Sequence, residues 1–209
     1  MLRDFEELPE GIGKNFFKYR KPEQMVQSFK QSIEIAVTNG DDENAKDIRD
    51  ILEIIEHFPD YQFDVSKFTC GNTHGDYMIS QILCADYSIK GIIDWTTACR
   101  HPLIWEVVRS YIFMAPECKD GTIDIESFER YLQAYLQKGK LNPYDIENAG
   151  NMFFYFLAVC DFFGQYYQSI TRNRSIYLEQ AQLSAKMLRW FDKHIEELNA
   201  RLRKLSEVM

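Results

Sequence analysis

The stretch THGDYMISQIL, Thr73 to Leu83, sets a carboxylate at Asp76 and a carboxamide at Gln81, five residues further on. Those two groups suit phosphoryl transfer, which needs a carboxylate to orient or deprotonate an acceptor hydroxyl and oxygen ligands to hold magnesium against nucleotide phosphates. Taken alone, the pattern reads equally well as a polar turn between strands, since short polar side chains serve such turns. A second element follows in the apolar run GIID, which ends at Asp94 and sets another carboxylate at the mouth of a strand. Two acidic loops joined by a hairpin make a cation cradle.

Elements on either side must position these loops. In PEQMVQSFKQSIEIAVTNG, Met25, Phe29, Ile33 and Ala36 or Val37 recur at helical spacing, with Pro22 suited to a first turn and Asn39-Gly40 to a stop. A second helix is predicted in DDENAKDIRDILEIIEHFPD, where Ala45, Ile48, Ile51, Leu52 and Ile55 form one stripe. The two make an αα-hairpin. Between Phe68 and Asp94 the texture changes to short apolar runs, QILCA and IKGIID, separated by a turn at DYS, which predicts a small β-hairpin. Helices then return over about Leu103–Met114 and Ile125–Gln137, at Pro143 and over about Ser175–Leu205. The aromatic run MFFYFLAVCDFFGQYYQ reads as a buried helix, and Trp95, Trp105 and Trp190 as core or helix-contact residues. The last helix carries a stripe from Leu183 to Leu202 that predicts core packing, with a homodimer contact as the minority alternative.

Composition excludes several classes. With 209 residues, 45% of them hydrophobic and 14% aromatic, the chain can bury a sizeable core. A formal charge of −8 argues against a nucleic-acid surface, which depends on clustered Lys and Arg. No apolar run is long enough to span a membrane, and MLRDFEELPEG is too acidic for a signal peptide, so a cytoplasmic protein is expected. The five cysteines are odd in number and contain no C-x-x-C pair, which points to neither a disulfide framework nor a zinc site.

On THGDYMISQIL and GIIDWTTACRHPLIWEVVRSY, set in helical surroundings, the sequence resembles the aminoglycoside phosphotransferase and choline kinase-like superfamily, whose fold is protein-kinase-like. The resemblance covers nearly the whole chain. It implies an α+β, mainly α-helical fold like the C-terminal lobe of a kinase, with a small β-hairpin region carrying the catalytic and metal loops. It further implies one domain over residues 1–209, made of a helical hairpin (1–66), the loops and hairpin (67–100) and a helical subdomain (101–209). By the same resemblance Asp76 is the catalytic base, Gln81 and Asp94 are magnesium ligands, and ATP is the co-substrate. The acceptor is a small-molecule hydroxyl of aminoglycoside, amino-alcohol or sugar type. His74 and Glu106 would brace the loop, while Tyr77 and Met78 are candidates for acceptor contact or for loop packing.

The sequence also departs from that family's pattern. Gln81 replaces the usual Asn and carries its amide oxygen outward by about one C–C bond, ~1.5 Å, where magnesium wants ligands at ~2.0–2.1 Å. Arg100-His101-Pro102 stands where Gly-Asp-Pro is usual, and Glu106 where an Asp is common. The glycines form no G-x-G-x-x-G or Walker pattern, GIGKNFF has only two of the needed glycines, and no apolar strand ending in Lys precedes the first helix. The nucleotide-binding N-terminal lobe is therefore expected to be absent. That absence motivates the alternative of a non-catalytic binding or dimerisation module. A metal-dependent hydrolase using His74, Asp76 and Asp94 is weaker, for want of further ligands.

Overall fold

The computed structural model describes Leu8, residues 20–168 and residues 174–208. The expectations that no Lys-bearing strand precedes the first helix and that the N-terminus is no signal peptide fall on residues 1–7 and 9–19, outside the described residues. Helix α1 (Pro22–Asn39) begins on a proline and ends at Gly40, whose φ of 75° is a left-handed cap conformation that costs glycine little. Helix α2 (Asp42–Glu56) runs alongside it and buries Ile48, Ile51 and Ile55, completing the expected helical hairpin.

Four short strands follow: β1 (Cys70–Thr73), β2 (Ile82–Ala85), β3 (Ser88–Ile92) and β4 (Cys99–Pro102). The alternation predicts one hairpin, and β2 and β3 form it, closed by Asp86 and Tyr87 at φ 50° and 57°. Both turn residues being left-handed matches the two-residue turn that follows the twist of a hairpin, here made without glycine. A second antiparallel pair was not anticipated. The chain returns at Cys99–Pro102 to pair with β1, Gly71 opposite His101 and Thr73 opposite Cys99. Its four residues, Cys-Arg-His-Pro, carry no strand signature, so tertiary pairing rather than propensity sets them in β conformation.

Helices then continue as α3 (Leu103–Met114), α4 (Ile125–Leu136), α5 (Pro143–Glu147), α6 (Ala149–Ala158), α7 (Phe162–Gln168) and α8 (Arg174–Ser206). The fold is α+β and mainly α, as expected. The aromatic run is two helices, α6 and α7, broken at Val159–Asp161, and Phe153 and Phe154 are fully buried against Phe191 of α8. Leu188, Ile195, Leu198 and Leu202 of α8 enter the same core. No described helix is long and apolar enough to cross a membrane.

Two contacts transmit this core to the loops. Helix α3 buries Ile104, Val108 and Ile112, and its Trp105 ring lies 5.1 Å from Phe156. Asp145, wholly buried in α5, accepts hydrogen bonds from the main-chain N–H of Asn142 (2.7 Å) and of Thr69 (2.8 Å), the residue before β1. A buried carboxylate survives only with such partners, so Asp145 ties the start of the first strand to the helical body. Trp105 is a core residue, as expected, and Trp190 is half-buried and stacks on His194. Trp95 corrects the expectation: it is 36% exposed and lies over the loop instead of in the core.

Candidate active site

The loop from His74 to Gln81 starts where β1 ends, and it is laced to three neighbours. Glu106, in the first turn of α3, accepts the main-chain N–H of His74 (2.9 Å) and of Gly75 (2.6 Å) on its two carboxylate oxygens. Gly75 takes φ 79°, a conformation that favours glycine and lets two successive N–H groups face one carboxylate. Burial pushes the Glu106 carboxyl above its ordinary range, and the two N–H donors oppose that shift.

His74 is almost fully buried, with Nε2 2.8 Å from the carbonyl oxygen of Ile93. A carbonyl only accepts, so Nε2 carries the proton, leaving Nδ1 to accept the N–H of Asp76 at 3.4 Å. Its ring lies 4.7 Å from that of Trp95 and 5.8 Å from that of Tyr77. From the second loop, Thr97 Oγ1 donates to the His74 carbonyl (3.1 Å) and the Ile93 N–H donates to the Gln81 carbonyl (3.0 Å). The two acidic loops are thus neighbours through a network centred on His74.

Asp76 is partly exposed and shared between two side chains. Gln81 Nε2 donates to Oδ2 (3.3 Å), and Arg109 Nη2 pairs with Oδ1. Arg109 also donates from Nη1 to the Tyr77 carbonyl (3.3 Å) and lies over the rings of Phe113 (4.9 Å) and Trp105 (5.7 Å). Burial lowers the guanidinium pKa, and the Asp76 and Glu106 charges work against that. Arg109 was not singled out from the sequence. The signal was present, because it follows Glu106 by three residues on a helix and so shares its face.

Gln81 is buried, and with its amide nitrogen committed to Asp76 its Oε1 has no hydrogen-bond partner. A buried carbonyl oxygen without a donor is costly and uncommon. Asp94 is exposed at φ 62°, with Oδ1 accepting from Thr96 Oγ1 (2.6 Å). Among the described residues no group of three or more His, Cys, Asp or Glu side chains is placed to hold a metal. The side chains these loops offer are an orphaned amide oxygen and carboxylates, of which the structure joins Gln81 to Asp76 directly; all are oxygen donors of the type magnesium takes.

Of the two candidates for acceptor contact, Tyr77 lines a large cleft beside the loop, and burial raises the pKa of its hydroxyl. Met78 holds an extended conformation just before the short helical turn Ile79–Gln81 and is not among the residues lining that cleft. No curated protein matches the chain. The model of the phosphotransferase enzyme family does match it, over residues 5–144, a span that takes in both loops, the hairpin and α3. The braced His-Gly-Asp loop, the carboxylate after the hairpin and this match covering more than half of the chain agree: the protein belongs to the phosphotransferase enzyme family.

Proposed function

We propose that the chain carries the catalytic and metal loops of an ATP- and magnesium-dependent phosphotransferase acting on the hydroxyl of a small molecule. The observation that carries this reading is the convergence on one loop of a partly exposed carboxylate, Asp76, and an unpartnered amide oxygen, Gln81 Oε1, held side by side by the Gln81–Asp76 hydrogen bond. In this reading Asp76 aligns the acceptor hydroxyl and takes its proton. Gln81 and Asp94 would hold magnesium, which when bound neutralises charge on the transferring phosphoryl group. Exposed apolar side chains at Ile79, Leu83 and Ile93 offer a planar base a surface to cover.

Arg109 fixes which oxygen of Asp76 is free to act. With Oδ1 held by the guanidinium, the proton-accepting lone pair must come from Oδ2, where the Gln81 N–H is the weaker partner at 3.3 Å. Replacing Asp76 by Asn should lower turnover by about 10²–10⁴-fold, the usual worth of a positioned general base, while nucleotide affinity stays close to wild type. An ADP-release assay with matched ATP titrations tests this. Unchanged turnover in Asp76→Asn would remove Asp76 from the role of base.

The same ion pair favours a second reading, a non-catalytic binding module, because a carboxylate already neutralised by a largely buried arginine is a settled structural group as well as a base. Under that reading the wild-type chain shows no ADP release with any acceptor, and Asp76→Asn changes only stability.

A further inference from the structure

A cleft of about 860 Å³ opens beside the His74 loop, between β1, α3 and α4. That volume suits a small organic molecule. Leu103 and Val107 of α3 give it an apolar wall, Tyr131 and Tyr135 of α4 an aromatic one, and Tyr77 brings it to the residue next to Asp76.

Its charge runs opposite to that of the chain. Although the protein carries a formal −8, the described lining contains the cations Arg100, Lys138 and Lys140 against one carboxylate, Glu106, whose two oxygens are engaged by the His74 and Gly75 amides. Lys138 and Lys140 flank Gly139, and a Cβ on that glycine would lie 2.2 Å from the Tyr135 ring. Gly139 thus packs against the aromatic wall, with Lys138 and Lys140 on either side of it in the lining. Arg100 and Lys138 have interactions within the chain as well, so a bound anion would share them. Asn72, also in the lining, already accepts the Leu8 N–H at 2.9 Å.

We infer that this cleft binds a cyclic or aromatic molecule bearing an anionic group, at a place that meets the His74 loop at His74 and Tyr77 and is not lined by Asp76, Gln81 or Asp94; only its relation to the transfer reaction rests on the phosphotransferase reading. The amino-sugars and quaternary amino-alcohols to which the chain's overall acidity would point are disfavoured. Cations meet like charge at Lys138 and Lys140, whereas an anion gains charge-assisted hydrogen bonds there. Its ring covers the wall formed by Tyr131 and Tyr135.

The test is a binding titration with three alcohols of one shape and different charge: para-(hydroxymethyl)benzoate, benzyl alcohol and para-(hydroxymethyl)benzylamine, followed by the fluorescence of Trp95, which lines the cleft. The benzoate is expected to bind about tenfold more tightly than benzyl alcohol, the increment of one charge-assisted hydrogen bond, and the amine more weakly than either. In a Lys138→Glu, Lys140→Glu double variant, both sites being exposed, the order should reverse. Equal affinities, a preference for the amine, no binding of any of the three, or an order that survives charge reversal each overturns the inference. No nucleotide is needed, so the outcome is separable from the phosphotransferase reading. Absence of ADP release with every acceptor would remove that reading and leave the anion preference standing.

Discussion

On one side of the His74–Gln81 loop, β1, β4 and α3 hold the backbone with partly or wholly buried partners; on the other, the β2–β3 hairpin stands almost free. Glu106, Arg109, Thr97 and Asp145 all act on the first side, each satisfying a main-chain group of the loop or of the strand leading into it. The hairpin leaves Leu83, Tyr87 and Ile89 exposed, joined by Ile79 and Ile93 at its base. The contrast separates two duties. Groups that must keep a fixed position are over-determined from the helical body, because a buried polar group with one partner missing is penalised heavily. The apolar hairpin gains little within the chain and has surface left for something else to bury.

Substitutions can break this comparison, and the largest effect is expected at Glu106. Glu106→Ala strands two N–H groups at once and should cost about 2–4 kcal/mol in urea denaturation. Glu106 also sets a pH dependence. Burial raises its folded-state pKa above the ordinary 4.5, so between those two values the folded chain holds more protons than the unfolded one. Stability should accordingly fall as pH climbs through that window, and Glu106→Gln should flatten the slope of thermal melts there. A slope that persists in the glutamine variant would assign it to another group.

Arg109→Ala comes next, at about 1–3 kcal/mol, since it removes the partner of Asp76 and a donor to the Tyr77 carbonyl together. Arg109→Lys should recover part of the stability and less of the turnover, because an ammonium cannot reproduce the forked geometry. The smallest effect belongs to the hairpin. Ile89→Ser should change stability by no more than about 0.5 kcal/mol. A loss comparable with that of Glu106→Ala would erase the distinction between the anchored and the open side.

Much of this was legible in the residues. Helical stripes with clear stops, such as Ile48, Ile51 and Ile55 before Pro59, gave their elements because burial on one face at a 3.6-residue period is a local property. The hairpin was legible because short apolar runs on either side of a turn are also a local signal, and the two acidic loops through the residues that carry the family resemblance. Strand β4 was not, since Cys-Arg-His-Pro adopts β conformation only because Gly71 and Thr73 lie opposite. Asp145 is not marked in the sequence, because its partner Thr69 is distant and nothing local signals a buried carboxylate, whereas Arg109 is marked only by its place three residues after Glu106 and not by its distant partner Asp76. Overall charge does not describe the cleft, because −8 is a sum over the chain while the described lining holds Arg100, Lys138 and Lys140 against one carboxylate, Glu106.

The central claim is that Gln81 and Asp94 form a magnesium cradle beside Asp76, and its most direct test is calorimetric titration of the chain with ATP, with and without magnesium, in wild type and Asp94→Ala. The account predicts binding that requires magnesium and weakens at least about tenfold in the variant, as loss of one charged ligand should cause. ATP binding that is absent, or indifferent to both magnesium and Asp94, would contradict it.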